Sequence, residues 1–114
     1  MKRSIAWIPI FILLTGCFSA KLLIPTQADV DRVYAKFPDY SLAELNNGKI
    51  LFEQHCGNCH GLKNPSSRTE EQWKEIIPEM TVKVNKKEEN VLDEHDQELI
   101  LRYVITMSNA KTAQ

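Results

Sequence analysis

The 114-residue sequence carries no excess of either charge; its formal net charge is −1. That excludes the strongly basic surface with which a small domain grips nucleic acid through its phosphates. Aromatic residues are scarce at 8%. There is no internal repeat and no low-complexity segment. No run alternates apolar and polar residues convincingly enough for a strand, so the expected fold class is all-α. The longest apolar run, Ile5 to Leu14, is broken only by Pro9 and is too short to span a bilayer comfortably. No βαβ pattern, no second Cys or His pair at zinc-site distance and no acid–base or nucleophile constellation of a hydrolase is present. Apolar residues at 43% and charged residues at 25% are ordinary for one soluble domain. A domain this small has limited apolar surface to bury and often needs a staple.

The candidate staple is His55-Cys56-Gly57-Asn58-Cys59-His60. Cys56-x-x-Cys59-His60 is the attachment sequence of a c-type haem. Two intervening residues let one turn of chain present both sulfurs to neighbouring vinyl groups. The next residue, His60, then lies under the iron as proximal ligand. Three rival readings exist. A dithiol redox pair normally accompanies a βαβ unit. A zinc site with His55 and His60 would need consecutive residues to converge rather than diverge. A structural disulfide is the third. Haem c, one group held covalently by Cys56 and Cys59, is the cofactor expected.

The third cysteine closes a different pattern. Lys2 and Arg3 precede the apolar run, which ends Leu14-Thr15-Gly16-Cys17. This resembles a bacterial lipobox, in which the cysteine is acylated and becomes the mature N-terminus. The resemblance implies a cleaved signal over 1–16, a lipid anchor at Cys17 to a bacterial membrane, and an extracytoplasmic, periplasmic-side location. Removing Lys2 and Arg3 leaves 12 basic and 15 acidic residues. Bacterial c-type haem is attached outside the cytoplasmic membrane, so two independent motifs require one compartment.

Residues 17–40 read as a tether followed by a short helix. The tether is Ser19 to Gln27; the helix, Asp29 to Phe37, carries Val30, Val33, Tyr34 and Phe37 at i, i+3, i+4 and i+7. Ser41 with Glu44 forms a capping box for a second helix running into Cys56, with Leu42, Leu45, Gly48 and Phe52 on one face. Gly61 to Arg68 is a loop. Thr69 and Gln72 start a third helix with Trp73, Ile76, Ile77 and Met80 on its stripe. Pro78 is expected to end or kink it, and Thr81 to Asn90, with Lys83, Lys86 and Lys87, to be an exposed loop. Asp93 caps a last helix burying Leu99, Ile100, Tyr103, Val104 and Met107. Residues 108–114 form a tail.

Four side chains are candidates for the second axial position: Met80, Met107, His55 and His95. His55 directly precedes Cys56 and reads as a surface histidine pointing away from the haem. His95 falls in a first helical turn, where solvent is expected, and Met107 on a core face. Met80 stands twenty residues after His60. A thioether is soft and neutral and, opposite histidine, raises the reduction potential.

Gly48-Lys49-Ile50-Leu51-Phe52, followed by Cys56-x-x-Cys59-His60-Gly61, is similar to the N-terminal helix and haem site of class I cytochromes c. Tyr103, in Leu99-Ile100-Leu101-Arg102-Tyr103-Val104, is placed like the aromatic that meets the small residue of that first helix. The resemblance covers residues 41–107. It implies a small helical domain wrapped around one covalent haem, with His60 and Met80 as axial ligands. It also implies one-electron transfer between redox protein partners rather than enzymatic turnover. The alternative is a haem-based gas sensor or small haem enzyme subunit with an open distal site.

Overall fold

The computed structural model describes residues 22–57 and 63–110. Among these residues the order is four helices and one short 3-10 turn: α1 (Gln27–Arg32), α2 (Leu42–Cys56), the turn Pro65–Ser67, α3 (Glu70–Lys87) and α4 (Glu94–Ser108). No strand occurs among the described residues, so the domain is all-α, as its patterning predicts. No helix among them is long and apolar enough to cross a membrane.

Local chemistry starts each long helix where the sequence places it. Ser41 Oγ accepts from the Glu44 N–H at 3.1 Å, and the Glu44 carboxylate accepts from the Ser41 N–H at 2.9 Å. Thr69 with Gln72 and Asp93 with Asp96 repeat this reciprocal arrangement. Two of the first-turn N–H groups that a helix leaves without intrahelical partners are satisfied each time.

Helix α4 is the centre of the domain; α1, α2, α3 and the 3-10 turn all pack on it. Its buried face holds the five residues expected and also Ile105 and Thr106. The closest approach is at Gly48 of α2. A Cβ there would overlap the Leu99 carbonyl oxygen and stand 2.8 Å from Tyr103 Cβ. The backbones meet because position 48 has no side chain, an offset for the roughly 1 kcal/mol that Gly costs a helix against Ala.

Two expectations fail before α2. Helix α1 stops at Arg32, and turns occupy residues 33–36. Leaving helical geometry there breaks the anticipated stripe: Val30 is buried, Val33 and Phe37 are half-buried, and Tyr34 is 66% exposed. The segment before α1 is also more than a tether. Leu22 and Leu23 pack against the core, and Pro25 is buried. Arg32 spans from Asp29, at 2.7 Å, to the Thr106 carbonyl at the end of α4, at 2.8 Å.

The larger correction is in α3, which runs through Pro78 to Lys87. Pro78 lies on the exposed side of the helix, where the missing hydrogen bond is least costly. Past it, Thr81 and Val84 continue the buried stripe begun by Trp73 and Ile77. A helix-interior proline costs about 3 kcal/mol; burying Val84 returns about 1.5–3 kcal/mol, the half-buried Met80 adds to that, and the buried Thr81 hydroxyl is satisfied by the Ile77 carbonyl at 2.8 Å. Tertiary burial therefore outweighs the local break. The helix ends when Glu89 and Asn90 adopt positive φ of 56° and 59°. Asn85 locks the reversal by donating to the Leu92 carbonyl at 2.8 Å and accepting from its N–H at 2.9 Å.

Candidate functional site

Helices α2 and α3 both pack on α4 and only lightly on each other. Between them lies a cleft with two lobes, of about 430 and 450 Å³, that share Cys56, Arg68, Ile76 and Met80. Pockets of roughly 300–1,000 Å³ accommodate cofactors and other small molecules.

Cys56 is the last residue of α2 and is 9% exposed. The spacing Gly48, Phe52, Cys56 keeps it on the stripe that faces inward. Met80 stands on α3 with Ile76 one turn before it and Val84 one turn after, and all three line the cleft. Met80 is thus presented by regular helix, not by the irregular backbone expected after Ile77. It is half-buried and packed against the core.

The inner lobe is backed by Phe52 and Trp73, whose rings meet edge-on at 6.1 Å. Trp73 Nε1 donates to the Pro65 carbonyl at 2.8 Å, which fixes the indole at the lobe's wall. Behind Phe52 lies Tyr103, with ring centroids 5.5 Å apart. Burial, with the Glu53 carboxylate second, pushes the Tyr103 phenol well above its ordinary value of 10.0, so it stays neutral. The outer lobe is lined by His55, Glu79, Lys83, Lys87 and Glu88 as well as Val84. His55 Nδ1 lies 2.8 Å from Glu88 Oε2. The carboxylate can only accept, so the imidazole donates. His55 is therefore not the surface histidine expected; its side chain is 18% exposed and lines the cleft beside Cys56.

These surroundings fit a flat apolar macrocycle with a charged edge. Phe52, Trp73, Ile76, Met80 and Val84 supply apolar walls, and the cations Lys63, Arg68 and Lys83 line the lobes with them. Cys56 is a sulfur nucleophile at the wall, and Met80 is a soft donor in the same cleft.

Among the other predicted residues, Met107 is 4% exposed in the α4 core, and His95 is exposed at the start of α4. Cys59, His60 and Cys17 lie outside the described residues. Sequence reasoning missed Glu88 and the cleft side of Val84, because both fell in the stretch read as a loop. The available signal was the spacing of Met80, Val84 and Lys87, which continues a helical face if Pro78 is passed over. No family model, curated protein or solved structure matches the chain, so the cleft's own chemistry carries the functional argument.

Proposed function

We propose that the chain is a lipid-anchored, extracytoplasmic one-electron carrier of the class I cytochrome c type, with one covalent haem. The observation that carries this reading is that Cys56, the first cysteine of Cys56-x-x-Cys59-His60, and Met80, the expected distal ligand, line one apolar cleft. When bound, the haem supplies reversible one-electron chemistry. The chain supplies the rest. Cys56 and Cys59 would hold the group to the chain, and His60 and Met80 would be its protein ligands. Phe52, Trp73 and Ile76 keep water from its inner part. Lys63 and Arg68, which line the cleft, would be available to offset the charge of its carboxylates. No substrate needs to enter such a site, so the protein acts as a carrier rather than an enzyme. Its partners are redox proteins, and the membrane is reached through lipid on Cys17.

Intact mass of the exported protein tests both motifs at once. The mature chain is expected to begin at Cys17, carry a diacylglyceryl adduct and retain one haem after acid–acetone extraction. Replacing Cys56 and Cys59 together with serine abolishes the haem mass, and Cys17→Ala abolishes the lipid mass. Haem that extracts freely from the wild type would overturn the attachment; a lipid-free N-terminus elsewhere would overturn the anchor.

A further inference from the structure

The outer end of the cleft is closed by a polar tie that joins the two helices carrying the site. His55 is the residue before Cys56, and Glu88 caps the C-terminus of α3. They lie 33 residues apart in sequence, so this is no i,i+4 pair of a solvated helix face. Both side chains are largely shielded, at 18% and 34% exposure. The Glu88 end is itself held: its N–H donates to Val84 O at 2.8 Å, and the Asn90 N–H donates to Asn85 O at 3.0 Å. Lys87, Lys83 and Glu79 share the lobe, so the pair sits in a mixed field of both signs.

The position of Met80 depends on where α3 is anchored. Its N-terminal half is fixed at Trp73 by the bond to Pro65 and the contact with Phe52. Between Trp73 and Met80 stands Pro78, which removes one i→i−4 hydrogen bond and softens the helix. From Met80 onward α3 is held by the burial of Thr81 and Val84 and, at its end, by His55. Met80 and Glu88 are eight residues apart, about 12 Å of helix at 1.5 Å per residue. Slack at Glu88 therefore reaches Met80 along a stretch of helix that has one backbone hydrogen bond fewer toward the Trp73 anchor.

We propose that His55 and Glu88 are positioning residues: their hydrogen bond straps the end of α2 to the end of α3 and sets how closely Met80 approaches the haem. This rests on the electron-carrier reading above. Without the strap, Met80 is a weaker distal ligand and the site opens.

The test uses the full-length, haem-loaded protein, a carbon monoxide titration of its ferrous form, and its reduction potential. Met80→Ala is the control for the underlying reading; it must bind carbon monoxide more readily than wild type. Given that, His55→Ala and Glu88→Ala should each raise carbon monoxide affinity by about tenfold, the scale of one charge-assisted hydrogen bond, and lower the potential. His55→Asn places an N–H donor where Nδ1 was, and Glu88→Gln keeps an acceptor; both should return toward wild type. If both alanine variants match wild type while Met80→Ala opens, the strap is wrong and the carrier reading stands. If His55→Asn is as open as His55→Ala, the imidazole acts otherwise than through this bond, and the proposal fails. If the wild type carries no covalent haem, or Met80→Ala changes nothing, the carrier reading itself fails and takes the strap with it.

Discussion

Helix α2 meets its two neighbours in opposite ways. Against α4 it comes so close at Gly48 that a single methyl group would strike the Leu99 backbone. Against α3 it stands back, with the cleft between them closed at the inner end by Phe52 and Trp73 and at the outer end by His55 and Glu88. The first contact is complementarity of the chain with itself. The second is two fixed ends with donor atoms between them. The difference teaches where the fold tolerates change. A residue at the α2–α4 crossing answers to packing, whereas one in the α2–α3 cleft borders open volume, where the proposed cofactor can be tested.

The largest expected effect lies in the cleft. If, as proposed, His60 and Met80 both hold the iron, ferrous wild type should take up carbon monoxide poorly. Met80→Ala should bind it readily and show a lower reduction potential, because the thioether favours ferrous iron. Met107→Ala, in the α4 core, should change stability without opening the site. Ready binding by wild type, unchanged in Met80→Ala, would favour a gas sensor or an open-site haem enzyme subunit.

At the crossing, Gly48→Leu should force α2 and α4 apart, an overpacking cost of roughly 1–3 kcal/mol in denaturant unfolding. Gly48→Ala should also destabilise, although Ala is the better helix former. A Gly48→Ala variant more stable than wild type would show that the closest approach lies elsewhere.

A smaller effect is expected where the two regions join. Trp73→Phe keeps an aromatic against Phe52 but removes the nearer donor to the buried Pro65 carbonyl, at 2.8 Å, leaving it only the Arg68 N–H at 3.4 Å. The expected loss is roughly 1 kcal/mol, read from the unfolding midpoint at constant m-value. No change in midpoint would mean the indole bond contributes nothing net.

The smallest effect is the acid limb. Burial raises the Asp29 carboxyl, but the Arg32 guanidinium and the Thr26 backbone and hydroxyl more than offset it, leaving it below its ordinary 3.8. Lys36, bonded directly, is the main cause that lowers Glu70 from 4.5. A depressed carboxylate contributes stability that is present above the unfolded value and lost as pH falls through the folded one. The ties of α1 and the following turn should therefore hold at neutral pH and weaken below about pH 4. Arg32→Met should shrink that acid-dependent loss in a series of thermal melts. Both crossing and cleft lie away from these ties and should respond little.

Much of the scaffold was legible because its signals are local. A capping box is read within four residues, so the starts of α2, α3 and α4 follow directly from Ser41, Thr69 and Asp93. Helical spacing picks out the buried face of α4, and a glycine on a buried face marks the close crossing. The cleft was legible only in part. Cys56 and Met80 are identified by type and spacing, but their meeting in one cavity is not.

By itself, then, the sequence determined the helical class, the capped starts of α2, α3 and α4 and the inward face of α4. Each of these depends on chemistry within a turn or two of chain. Only the tertiary structure decided that α3 continues through Pro78, that Tyr34 leaves the α1 stripe, and that His55 reaches Glu88. Pro78 is a breaker by its own chemistry, and it is overruled by the packing of Val84 and Met80 into a core built from residues far away in sequence. That energy exists only once α3 lies on α4, so no local pattern around Pro78 contains it.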